Sequence, residues 1–102
     1  DMGDYYDGNP GYSYYASDEY ILPYSSDVTL TEADVYYLTP EQLKLARNEI
    51  YARHGRRFQD ETLQRYFDSQ SWYYGFIEPE DFSDDMLSKL EKKNVQFIRE
   101  HE

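Results

Sequence analysis

The residues best suited to chemistry are gathered in one stretch, Arg47-Asn48-Glu49-Ile50-Tyr51-Ala52-Arg53-His54-Gly55. Glu49 or His54 as a general base, with an arginine orienting an anionic substrate, is the catalytic arrangement that these types allow. Such a site needs a second carboxylate or a nucleophile at a diagnostic spacing, and the sequence offers none. A wheel of about 100° per residue puts Arg47 and His54 on one face with Leu43, Ala46, Ile50 and Tyr51. A polar group on an apolar face must find an internal partner. Arg47, Asn48, Glu49 and His54 therefore read as a structural clasp whose partners are backbone carbonyls, Asn94 or a loop carboxylate. Arg53, Arg56 and Arg57 remain as a basic rim able to meet a partner.

Other sites are weaker. His54 and His101 are far apart, and neither a His-x-x-x-His pair nor a calcium loop occurs. The acids Glu78, Glu80, Asp81, Asp84 and Asp85 read as a solvated loop and the acidic first turn of a helix. No metal and no cofactor is expected. Phosphate-cradling glycine loops and Ser/His/Asp order signatures are missing. Trp72, Tyr73 and Tyr74, beside Gly75, suit stacking on a sugar or a peptide. The alternative places Trp72 in the core between the second and last helices, with one tyrosine exposed.

The elements that position these residues can be read from caps and periodicity. The chain has 102 residues, room for one small domain. Aromatics make up 19% of it, including 13 Tyr, enough to build a core with few aliphatics. Residues 1–19 contain no Leu, Ile, Val or Phe and read as a flexible Tyr/Asp/Gly-rich linker. Residues 20–102 read as the folded domain. Tyr20-Ile21-Leu22-Pro23-Tyr24 is an extended apolar segment that plugs the core. Thr31 and Thr39, each flanked by apolar residues at staple spacing, cap helices over about 32–37 and 40–54. Pro40 suits the first helical position and Gln42 completes a capping box. Leu45 and Ala52 lie opposite the Leu43 face, so the second helix is buried on two sides. Gly55 ends it with positive φ. Asp60 caps a helix over about 61–69, and Ser83 one over about 84–100. The last carries Met86, Leu87, Leu90, Asn94, Phe97 and Ile98 inward, and Asn94 needs a buried partner. Glu49–Arg53 and Asp85–Lys89 are ion pairs at helical spacing. The expected fold is mainly α: a small helical bundle of two longer and two short helices, with an extended N-terminal segment packed alongside.

Charge narrows the function. The net charge is −11, and all 10 Lys and Arg follow residue 38. So acidic a chain is a poor general binder of nucleic acid or anionic membrane. No apolar run approaches the ~20 residues of a spanning helix. Any secretory leader is expected to lie outside this sequence. There is no Cys, hence no disulfide and no thiolate metal site.

Tyr51-Ala52-Arg53-His54-Gly55, preceded by Leu45-Ala46-Arg47-Asn48-Glu49-Ile50, resembles the motif that names the YARHG domain. The resemblance runs from about Leu38 to Ile98. It takes in Leu38-Thr39-Pro40-Glu41-Gln42-Leu43, the Phe58 to Phe67 helix, Ser71-Trp72-Tyr73, Asp81-Phe82-Ser83 and Lys93-Asn94. Residues 1–30 lie outside it. It implies a non-catalytic accessory module of an extracellular or cell-surface bacterial protein, binding or positioning it at the cell envelope. A cell-wall polymer or another envelope protein is the expected partner, and the module itself is expected to be a monomer. The alternatives are a purely structural spacer and a small hydrolase using Glu49 or His54.

Overall fold

Four α-helices carry the domain in the computed structural model, which describes residues 20–102. They are α1 (Glu32–Val35), α2 (Pro40–Arg53), α3 (Glu61–Asp68) and α4 (Lys89–His101). Single 3₁₀ turns at Pro79–Asp81 and Asp84–Met86 lie between α3 and α4. The fold is mainly α, and among the described residues pairing of the β type is limited to one bridge between Arg56 and Ile77. The N-terminal segment, residues 20–30, packs alongside as a strap. It is not the extended segment expected: it turns, with Ser25 N–H donating to Leu22 O and Asp27 N–H to Tyr24 O, because local hydrogen bonds and the single Glu49 carboxylate that takes both Ile21 and Leu22 N–H curl the backbone. The linker expected over 1–19 lies outside the described residues.

Helix starts follow local side-chain chemistry. Thr39 Oγ1 accepts from Gln42 N–H at 3.1 Å while Gln42 Oε1 accepts from Thr39 N–H at 2.9 Å. Asp60 caps α3 by accepting from Thr62 and Leu63 N–H. At α1 the roles differ from expectation: the Thr31 hydroxyl donates to the Asp34 carboxylate, which also takes Thr31 N–H.

The largest correction concerns α4. It begins at Lys89 rather than near residue 84. Ser88 and Glu91 form a reciprocal capping box, Glu91 N–H to Ser88 Oγ at 3.0 Å and Ser88 N–H to Glu91 Oε1 at 2.9 Å. Ser83 holds only the 3₁₀ turn, through Asp85 N–H. Of the two serines, only Ser88 has a Glu or Gln three residues on, and two orphan donors are satisfied instead of one. Met86 consequently sits before the helix and is 45% exposed. Asp85 reaches Lys92 at 3.3 Å rather than Lys89.

α2 packs on two sides. Leu43, Ala46 and Ile50 join Leu22, Leu30, Val35, Leu87, Val95 and Ile98 in one core. Ala52, with half-buried Leu45, joins Phe58, Leu63 and Phe67 in a second. Burying each such large apolar side chain contributes ~1.5–3 kcal/mol. Trp72 belongs to the second core, 6.0 Å from the Phe67 ring and 4.7 Å from Tyr20. It does not fill the space between α2 and α4, because the short loop after α3 keeps the indole beside that helix.

Candidate functional site

The motif on α2 is a device for gripping the strap. Glu49 is 1% exposed. Its Oε1 accepts from Ile21 N–H at 2.8 Å, and its Oε2 from Leu22 N–H at 3.1 Å and Arg53 Nη2 at 3.0 Å. Arg53 Nη2 also donates to Leu22 O, and Nη1 to the hydroxyls of Ser25 and Ser26, all at 2.8 Å. The Tyr20 ring centroid lies 4.7 Å from both the Arg53 guanidinium and the Trp72 ring. From α4, fully buried Asn94 donates to Ser25 O and Val28 O at 2.8 Å and accepts from Leu30 N–H at 3.0 Å. Glu91 accepts from Ser26 Oγ at 2.7 Å and from His54 Nε2 at 2.9 Å. A carboxylate only accepts here, so the His54 proton sits on Nε2.

This geometry is suited to holding backbone. Burial pushes the Glu49 carboxyl above its ordinary value, against the pull of two amides and Arg53. Burial also acts to raise Glu91, but Ser88 N–H, the Ser26 hydroxyl and His54 together outweigh it and leave that carboxyl lowered. Ser26, Glu91 and His54 are three residues of hydrolytic chemistry in the wrong order. The carboxylate lies between hydroxyl and imidazole, so the imidazole does not take the hydroxyl proton.

Several predicted site residues lie elsewhere than expected. Arg53 is not on the rim; its side chain is 15% exposed and wholly engaged with the strap. Arg47 is not in the clasp; it forms a two-pronged ion pair with Glu102. Buried Asn48 donates to Lys44 O within its own helix. Arg56 lies over the rings of Tyr51, Phe58 and Phe82, at 5.4, 5.2 and 5.8 Å. Trp72 and Tyr73 are half-buried, and the Tyr73 hydroxyl donates to Arg56 O at 2.7 Å. Arg57 and Tyr74 face outward. Sequence reasoning missed Ser25, Ser26 and Glu91; the Ser88-x-x-Glu91 spacing was the available signal for the last. It also missed Phe76.

Phe76 matters because it completes an outward face. Exposure alternates along residues 73–78: Tyr74, Phe76 and Glu78 are exposed, while Tyr73, Gly75 and Ile77 turn in. Tyr74 is 77% and Phe76 63% exposed, and their rings stack with centroids 5.8 Å apart. The motif pins this segment. Gly55 has φ +89 and closes a double C-terminal cap, Gly55 N–H to Ala52 O and Arg56 N–H to Tyr51 O. Its carbonyl then accepts from Phe76 and Ile77 N–H, and Arg57 N–H donates to Ile77 O at 2.7 Å. A Cβ on Gly55 would collide with the Phe76 ring, and one on Gly75 would press on the Arg57 stem and the Tyr73 hydroxyl. Arg57 lies beside the face, with Nε 3.7 Å from the Glu78 carboxylate.

A separate groove of about 330 Å³ between α2 and α3 is lined by Glu41, Lys44, Leu45, Asp60, Thr62, Leu63 and Tyr66. Neither Glu49 nor His54 lines it. Among the described residues no cluster of His, Asp and Glu could hold a metal ion. No helix there is long and apolar enough to cross a membrane.

No curated protein and no solved structure matches this chain. A family profile does, over residues 18–102, and so takes in the strap that the sequence pattern alone had left outside. Six backbone groups of the strap, and few of its side chains, are what the clasp reads, which leaves little pattern in residues 20–30. With most of its length matched, and the motif seen to bind the strap and end α2, the chain belongs to the YARHG domain family.

Proposed function

We propose that this domain is a non-catalytic accessory module that works outside the bacterial cell, holding the protein that carries it at the cell envelope. Its contact surface is the Tyr74, Phe76 and Glu78 face, with Arg57 beside it. One observation carries the reading. A stacked, exposed aromatic pair is fixed by backbone hydrogen bonds to the end of α2, so its geometry is set before any partner arrives. Preorganised exposed aromatics bind at low entropic cost. Two rings left in water contribute little to folding, so their fixed placement is better explained by contact with a partner. The catalytic reading has no such support, since Glu49 is enclosed and saturated with donors.

A structural spacer is the second reading, favoured by the inward turn of the whole clasp. Co-sedimentation with isolated bacterial envelopes separates the two. The wild-type chain is expected to sediment with them, and the Tyr74→Ser/Phe76→Ser double variant to stay in solution with an unchanged Tm. If the wild-type chain stays in solution at millimolar concentration, the binding reading is wrong and the spacer reading stands.

A further inference from the structure

We infer that the partner of this face is a basic segment of a protein, a Lys or Arg side chain laid on the Tyr74–Phe76 pair with its cationic head toward Glu78. This deepens the reading above and rests on it. Three observations converge. The exposed ring faces are electron-rich and attract a cation within about 6 Å. Glu78 follows on the same face, the next exposed position after Phe76. Its only ion pair among the described residues is with Arg57, at 3.7 Å, with both side chains well exposed, so the carboxylate retains capacity for a second donor. Finally, the chain carries 21 acids against 10 bases, and Glu80 and Asp81 continue the acidic run beyond Glu78. This field attracts a basic partner and repels an anionic polymer.

Arg57 makes the inference decidable. For a basic ligand it is a like charge beside the site; for an anionic ligand it is the obvious anchor. Removing it must therefore weaken an anionic ligand and must not weaken a basic one.

The test uses the full chain and fluorescence polarisation with labelled oligolysine and labelled oligoglutamate. Salt is held at about 0.15 M, where the screening length of about 8 Å suppresses diffuse attraction. Oligolysine is expected to bind and oligoglutamate not to. Glu78→Gln, and separately Tyr74→Ala/Phe76→Ala, should each weaken oligolysine by about threefold to tenfold, as expected for lost cation–π or ion-pair contacts. Arg57→Gln should leave affinity unchanged or improve it. Oligolysine binding that ignores all of these changes is diffuse attraction to an acidic protein and overturns the inference. So does weakening by Arg57→Gln, or preference for oligoglutamate. If the aromatic double variant loses envelopes while oligolysine binding is indifferent to it, the surface is right and the ligand class wrong. If the wild-type chain ignores envelopes, the envelope reading fails, whatever the peptide shows.

Discussion

Arg53 and Arg47 share a helix and differ in what their loss leaves behind. Arg53 is the counter-charge of an enclosed carboxylate and also binds Leu22 O, Ser25 and Ser26. Removing it strands Glu49 without its cation. Breaking a buried pair by deleting one partner costs ~3–5 kcal/mol. Arg47 pairs with Glu102, whose side chain is 21% exposed against 1% for Glu49, so losing Arg47 leaves a carboxylate that water can reach. Surface pairs contribute about 1 kcal/mol or less. Urea melts are expected to show Arg53→Met destabilised by about 3–5 kcal/mol, against about 1 kcal/mol or less for Arg47→Ala. Equal losses would mean that the grip on the strap is not where the energy lies. Sequence placed Arg47 inside because the wheel did. The wheel gives the direction of Cβ, but a long side chain can bend from an apolar face toward water. Arg53 bends the other way, drawn in by strap carbonyls and hydroxyls that no helical wheel contains. Gly55 was legible in full, since the end of a helix poses a local problem with a local solution.

The last helix illustrates both parts of element-level reading. Its existence and apolar stripe were clear, yet its start was not, because two serines compete. The outcome follows from Glu91, which serves Ser88, Ser26 and His54 together. At its other end, His101 Nδ1 faces Phe97 O at 2.8 Å and Nε2 faces Glu32 on α1 at 2.7 Å. Both neighbours only accept, so each favours a proton on the ring nitrogen that it faces. The Phe97 carbonyl foremost, then Glu32, raises its pKa from 6.5. A raised histidine contributes stability that is fully present below 6.5 and is lost as pH climbs through the folded value. The lowered carboxyl of Glu91 works in the opposite sense: its contribution is present above 4.5 and is lost as pH falls. Glu49, raised by burial, opposes Glu91 on the acid side, being the one favoured by protonation. Thermal melts across pH should therefore show Tm declining as pH rises past 6.5 in the wild type, and a smaller decline there in His101→Gln. Glu91→Gln should soften the acid-side decline. A His101→Gln profile parallel to wild type would remove the α1–α4 tie from the account.

As a whole, the molecule is two cores either side of α2, closed by a strap with polar fastenings on α2 and α4. Asn94 is the fastening deepest in the protein. Asn94→Leu keeps the branched shape but leaves two carbonyls and one amide without partners, a loss of roughly 3–9 kcal/mol at unsatisfied-group costs of ~1–3 kcal/mol each. If the strap opens as a unit, hydrogen exchange at Ile21, Leu22 and Leu30 will quicken together in this variant. The central amides of α2 and α4 will keep their protection until global unfolding. A uniform rise across the helices would instead make the strap inseparable from the bundle.

Sequence by itself determined the helical class, the two-sided burial of α2, three of the helix starts and the glycine that ends α2. These rest on interactions spanning one or two turns, whose partners are neighbours in the chain. Tertiary structure alone decided which arginine is enclosed, that Glu91 joins His54 to Ser26, and that Phe76 and Tyr74 share an exposed face fixed to the motif. Those contacts join residues tens of positions apart, or pair side chains with backbone groups, and a backbone N–H or C=O is the same whatever residue carries it. The stretch from Arg47 to Gly55 is thus legible as important from its residue types. What it grips, and what it holds out to a partner, depends on chain that is distant in sequence and adjacent only once folded.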